Sequence, residues 1–450
     1  MPRRHDHALL AALLALAVAV SGGIYLGVAA DEGHTERPLA GRSAPQSAAP
    51  ASAGTWVSSW SASPAAAEPG TEPGTGRGGL AGRSLRNVVH TSAGGTQARI
   101  TLSNLYGQQP LTITHATIAL AAGSGGAAAV PESMRRVTFG GSGRAVVPAG
   151  QQLISDPVEL RVPHDSDVLV TTYSPTGAGP VTHHPRARQI SYAAVGDHAA
   201  GTTGAAYTEQ VEAWRYLTAL DVLSDDSDGT VVAFGDSLTD GAMSTVDANR
   251  RWPDVLSDRI REAVASGTAD VPRHSVVNQG ISGNRLLSDG SDDLGRPADN
   301  PSGLGRFARD VLGRTDVEVV VIDLGVNDIL RHPGTADPDR ILTGLRTLVD
   351  QAHARGVKVI GATLMPFHGH GGYTDAREEV RRQINAEIRA GRVFDAVADF
   401  DRAVRDPYDP RRFHPDYDSG DHLHPSDRGY ARMADSFDLT SLSGSAPARL

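Results

Sequence analysis

Four short segments carry residue types that would do chemistry if brought together: Phe234-Gly-Asp-Ser237-Leu, Ile281-Ser-Gly283-Asn284, Gly325-Val-Asn327-Asp328 and Asp421-His-Leu-His424-Pro. A serine hydroxyl is a poor nucleophile until a neutral imidazole accepts its proton. His424 is the only histidine with an aspartate three residues before it and a proline directly after it. Asp421 is spaced to hold that ring in one tautomer and to stabilise the imidazolium as it forms. His422 competes, but the adjacency of Asp421 and His422 leaves too little chain to fold that carboxylate onto that ring; Asp418 is the alternative carboxylate. Asn327 offers a side-chain amide and Gly283 an unhindered backbone N–H. With the N–H of Ser237 they supply three donors for an oxygen that gains charge in a tetrahedral intermediate, and losing one good donor costs roughly 3 to 4 kcal/mol of transition-state stabilisation. The chemistry expected is acyl transfer through Ser237. Taken singly, the segments read equally well as a capping serine, a turn glycine and a loop-capping Asn-Asp pair. Those plain readings fit one segment and fit all four poorly.

Strands and helices must position these groups. Val231-Val-Ala-Phe, Ser275-Val-Val, Val317 to Ile322, Val357 to Ile360 and Val393 to Val397 are short apolar runs of the kind buried on both faces of a parallel sheet. Helical stretches intervene near Trp252 to Val264, Asp337 to Arg355, Asp375 to Arg389 and Asp427 to Ser436. This βα alternation predicts an α/β domain over 229–450 with a doubly wound parallel sheet. Ser237, Gly283 and Asn327 follow its first three strands, where the sites of such sheets collect. Upstream, over 55–228, the period is mostly two. Arg99 to Asn104, Leu111 to Thr114, Thr117 to Leu120, Val158 to Val162 and Asp167 to Tyr173 predict a β-rich, sandwich-like domain. Glu68 to Gly82 reads as a flexible insertion, and Asp225 to Asp228 as a solvated hinge rather than a calcium loop. His183 and His184, with His198, lack a spacing that closes on one ion and read as loop imidazoles. Trp56 and Trp60 read as core or as a sugar platform.

Composition narrows the partners. The net charge of -10 is spread along 450 residues with no basic block, so nucleic acid is not an expected partner. The absence of cysteine removes a thiol nucleophile and thiolate metal sites. No G-x-S-x-G elbow surrounds Ser237, and neither a dinucleotide fingerprint nor a phosphate loop is present, so no nucleotide cofactor is implied. Arg3 and Arg4 precede apolar residues 8–30 that end in Val28-Ala-Ala30. Residues 1–30 thus predict a secretory signal, giving a secreted protein; an uncleaved membrane anchor with the catalytic domain outside is the alternative, because 8–30 is 23 residues long. Residues 31–54, rich in Ala, Pro, Ser and Gly, read as a low-complexity linker. A monomer is expected.

At the four segments the chain resembles the GDSL, or SGNH, hydrolase superfamily of lipases, esterases and deacetylases. The resemblance carries the nucleophile onto Ser237, the oxyanion donors onto Gly283 and Asn327, and the acid-base pair onto Asp421 and His424. It covers about Thr230 to Leu439 and implies no metal and no cofactor. Residues 55–64 and 100–107 also resemble the β-rich region that precedes this hydrolase in secreted actinobacterial proteins. The expected function is carboxylic ester hydrolysis, as an esterase, lipase or O-acetyl esterase, on a small-molecule or polysaccharide ester. An acyltransferase using the same groups and a non-catalytic carbohydrate-binding protein are the alternatives. Arg285, His368 and His370 are expected to line the substrate cleft, and short or acetyl esters rank above long-chain lipids because no extended apolar segment looks like a lid.

Overall fold

The first half of the chain is a set of antiparallel strands, and several of the longest are buried over a continuous run rather than on alternate residues. The computed structural model describes residues 54–66, 80–268, 270–290, 300–331 and 336–446. The leader, the linker up to residue 53 and residues 68–79 of the insertion lie outside the described residues. The longer antiparallel strands are β1 (Thr55–Ser61), β2 (Arg83–His90), β3 (Gly95–Ser103), β4 (His115–Leu120), β5 (Val158–Val162), β6 (Asp167–Ser174), β7 (Thr182–Pro185), β8 (Ser191–Val195) and β9 (Leu217–Ser224). One sheet runs in the order β1, β9, β3, β5, and a second contains β8, β2, β6 and β4 side by side. β7 joins a smaller sheet between Ala213–Arg215 and Ala65–Ala66. His183 and His184 therefore lie on a strand, not in a loop.

The second half is an α/β arrangement. β10 (Gly229–Gly235), β11 (His274–Gly280), β12 (Val317–Asp323), β13 (Lys358–Ala362) and β14 (Ala396–Ala398) form a five-stranded parallel sheet in the spatial order β11, β10, β12, β13, β14. Val231, Val232, Ala233 and Phe234 are all fully buried, as a run without alternation demands. The last strand is shorter than the apolar run at 393–397 suggests, because Val393 and Phe394 are buried ahead of it. Between and after the strands come α1 (Ser237–Asp240), α2 (Trp252–Ala265), α3 (Gly303–Asp310), α4 (Val326–Arg331), α5 (Pro338–His353), α6 (Asp375–Arg389) and α7 (Asp427–Asp435). Their starts are set locally: Pro338 follows the Asp337 cap, whose carboxylate accepts from the N–H groups of Asp339 and Arg340, and Ser426 caps α7 through Gly429. Among the described residues no helix is long and apolar enough to cross a membrane.

The described residues belong to one compact unit. β1 and the loops beside it are tied to the parallel sheet by polar side chains rather than by a ladder. Thr230 Oγ1 accepts from Ser58 N–H (3.1 Å), Ser92 Oγ accepts from Val276 N–H (3.2 Å), and the Gln279 amide lies 2.5 Å from the hydroxyls of Ser61 and Ser63. Trp60 is buried and meets Trp214 edge to face at 4.9 Å, while the Arg99 guanidinium covers the Trp56 ring at 4.4 Å.

Candidate active site

The strand order reverses between β11 and β12 on either side of β10, and in open α/β sheets the crevice beyond the carboxyl ends at such a reversal is where ligands bind. Ser237 opens α1 just past β10, Gly283 lies in the turn past β11, and Asn327 sits in α4 past β12. His424 reaches the same place from the loop before α7. Ser237 Oγ is 2.8 Å from His424 Nε2, and His424 Nδ1 is 2.5 Å from Asp421 Oδ2. The other Asp421 oxygen accepts from the backbone N–H groups of Leu423 (3.0 Å) and His424 (2.8 Å). Burial raises the Asp421 pKa, but the hydrogen bonds from His424 and Leu423 outweigh it and leave the carboxyl below its ordinary value. His422 pairs instead with Asp418 at 2.6 Å and its ring is half exposed.

The backbone N–H groups of Ser237 and Gly283 have no partner among the described residues. Gly283 has φ of 76°, a left-handed conformation open to glycine at little cost. Asn327 is buried and fully engaged: its amide donates to Asp236 Oδ2 and to the carbonyl of Asn284, both at 3.1 Å, and its oxygen accepts from Arg331 Nε at 3.0 Å. Asp236 also caps α1 through the N–H of Leu238 (3.0 Å). Burial, together with the neighbouring Asp323 carboxylate, pushes the Asp236 carboxyl well up, and burial pushes Asp323 up to about 7.

The three weaker candidates separate. Arg285 is buried, with Nη2 on the carbonyl of Asp289 at 2.8 Å. His368 Nδ1 accepts from Arg412 Nε at 2.9 Å and its ring packs on Tyr373, so its bonds lead away from Ser237. His370 is half-buried, and burial with the charges of His424 and Arg331 lowers its pKa against the pull of Asp421. Its Nδ1 accepts from Gly372 N–H (3.1 Å), which leaves Nε2 to carry the proton. The cation beside Gly283 is Arg331: a Cβ at Gly283 would lie 3.7 Å from the guanidinium carbon. Arg331 is exposed and makes no ion pair among the described residues. Its signal in the sequence is helical spacing, four residues after Asn327.

Residues 233–432 match the model of the GDSL-like Lipase/Acylhydrolase family. Among solved structures, an acetyl xylan esterase from Geobacillus stearothermophilus is 19% identical over 50% of this chain and 98% of its own, with a TM-score of 0.35. A lipase/acylhydrolase from Enterococcus faecalis is 22% identical over 46% of this chain and 92% of its own, with a TM-score of 0.33. A GDSL-like lipase from Bacteroides thetaiotaomicron is 21% identical over 46% of this chain and 84% of its own, with a TM-score of 0.32. No curated protein matches the chain.

Proposed function

We propose that this protein is a serine-dependent carboxylic ester hydrolase that works through an acyl-enzyme on Ser237. One observation carries the reading: the unbroken chain from Ser237 Oγ to His424 Nε2 (2.8 Å) and from His424 Nδ1 to Asp421 (2.5 Å). Ser237 gives its proton to His424 as Oγ attacks the ester carbonyl, and Asp421 stabilises the imidazolium. The oxyanion is held by the N–H groups of Ser237 and Gly283 and by the Asn327 amide once one of its hydrogens turns from its present partner. His424 then protonates the leaving alcohol, and water repeats the sequence on the acyl-enzyme to release the acid.

The rim suits short or acetyl esters on polar alcohols. The exposed Arg331 guanidinium lies beside Gly283, and the half-buried His370 is near enough to Asp421, His424 and Arg331 to feel their charges; neither polar group rewards burial of a long acyl chain. Secretion, with the anchored form as its alternative, rests on residues 3–30, and the division at 228/229 rests on the change of period there.

The test is an ester panel, nitrophenyl acetate through palmitate plus acetylated xylan and pectin, run on wild type beside Ser237→Ala. The variant is expected to lose at least about 10⁴-fold in kcat with its unfolding transition intact. Residual activity within tenfold of wild type sinks the mechanism; a preference for palmitate sinks the substrate class alone.

A further inference from the structure

Behind Gly283 runs a chain of buried hydrogen bonds that leaves the α/β part altogether. Ser282, the residue before Gly283, donates its N–H (3.0 Å) and its Oγ–H (2.6 Å) to Asp240 Oδ2 at the end of α1. The other Asp240 oxygen lies 2.9 Å from Nε2 of His184, on β7. The remaining ring nitrogen of His184 sits 2.8 Å from the carbonyl oxygen of Ser63. Ser63 Oγ contacts Gln279, at the end of the strand that leads into the Gly283 turn, and accepts from Arg306 Nη1 at 3.0 Å. The His184 and Asp240 side chains are each 5% exposed, so water does not substitute for either partner.

We propose that His184 is a positioning residue for the oxyanion donor Gly283, so that the β-rich half of the chain sets catalytic geometry from behind the site. The proposal rests on the reading of Ser237 as nucleophile and Gly283 as donor. Asp240 is the hinge of the argument. One of its oxygens holds both polar groups of Ser282, and the direction of the next N–H, that of Gly283, follows from how Ser282 is held. The other oxygen is satisfied by His184. Without the imidazole, a buried carboxylate oxygen has no partner, and such a group reorients or takes up a proton rather than remain unpaired. Either change loosens Ser282. A misplacement of about 1 Å at a reacting group costs on the order of 10²-fold in rate.

A second network joins the same halves and provides the contrast. Asp221 on β9 accepts from Arg99 Nε (3.0 Å), Ser58 Oγ (3.0 Å) and Thr315 Oγ1 (2.7 Å), and none of these residues bonds to the site. Loss of that network should weaken the junction without moving Gly283.

The experiment compares His184→Asn, His184→Gln and Asp221→Asn in the full chain, with kcat and KM on nitrophenyl acetate and thermal unfolding for each. Glutamine keeps an N–H near the position of Nε2 and so keeps the donor to Asp240, whereas asparagine reaches only the Ser63 carbonyl. His184→Asn is expected to lower kcat by about 10- to 100-fold with KM within about twofold, His184→Gln to recover most of that loss, and Asp221→Asn to unfold earlier with kcat of the folded protein within about twofold of wild type. Wild-type kcat in His184→Asn, or equal kcat losses in the asparagine and glutamine variants, overturns the proposal. If His184→Asn does not fold, Ser282→Ala, which removes one bond to Asp240 without opening the junction, must lower kcat with KM held; an unchanged kcat overturns it. Retained activity in Ser237→Ala is a different failure, that of the underlying reading.

Discussion

Asp323 closes the strand that leads to Asn327, with its carboxyl enclosed and Thr239 Oγ1 donating to it at 3.2 Å. Its folded-state pKa of about 7 lies above the ordinary 3.8 because burial disfavours the charged form. Between those values the folded chain binds more proton than the unfolded chain, so this group's contribution is favourable in acid and is lost as the pH rises through about 7. Asp323→Asn keeps an oxygen for Thr239 and removes the titration. The variant's advantage over wild type should widen between pH 5 and pH 8 by ~1.4 kcal/mol or more, the equivalent of one pKa unit. Urea unfolding at the two pH values reads the difference; a gap that does not change with pH means that Asp323 is not raised. Asp421 has the opposite sign, since its folded pKa is depressed and its contribution is lost in acid. At this scale the sequence was informative where chemistry restricts residue type: a hydroxyl, an imidazole and a carboxylate in the right company can be read from spacing. It was less so for cations. Arg285 stands beside the oxyanion segment in sequence yet is buried, while Arg331 reaches Gly283 only because a helix brings residues four apart onto one face.

Elements fix how closely these groups can meet. Gly280 ends β11 opposite Gly235 in the parallel register, and a Cβ there would lie 2.3 Å from the backbone nitrogen of Asp240 and 2.7 Å from its Cα. Backbone cannot yield as a side-chain end can, and the register holds β11 in place, so Gly280→Ala must push α1, and with it Ser237, away. The expected result is a fall of roughly 10²-fold in kcat/KM on a short nitrophenyl ester, together with a lower unfolding temperature. Unchanged kcat/KM means that the turn relaxes without moving the hydroxyl. The parallel strands were legible because each is a continuous apolar run. β2 and β9 were not, since both carry polar residues at positions that periodicity assigns to solvent. In β2, Arg86 and Asn87 are buried: Arg86 donates to Thr171 Oγ1 and to the carbonyls of Ala127 and Gly201, and Asn87 exchanges bonds with the backbone of Arg215. In β9, Asp221 is buried among Ser58, Arg99 and Thr315. Their partners come from far along the chain, so no local window contains the reason for the burial.

For the whole molecule the question is whether the α/β part stands alone. β11 is an edge strand of the parallel sheet, and β1 packs beside it with Ser58, Ser61, Ser63 and Trp60 all buried. Removing 55–228 would strip the partners from Thr230, Gln279 and the N–H of Val276, take His184 from Asp240, and expose a sheet edge. An unpaired edge beside uncovered apolar residues is a template for association with other chains. The truncated 229–450 chain is therefore expected to aggregate, or to remain in solution without a cooperative unfolding transition, and to hydrolyse nitrophenyl acetate at least about 10²-fold more slowly than the full chain. Size-exclusion chromatography, near-ultraviolet circular dichroism and initial rates on one preparation decide the matter. A monomeric fragment with the full chain's kcat would make the β-rich half a detachable module and assign the buried bonds between the halves to adhesion rather than to catalysis.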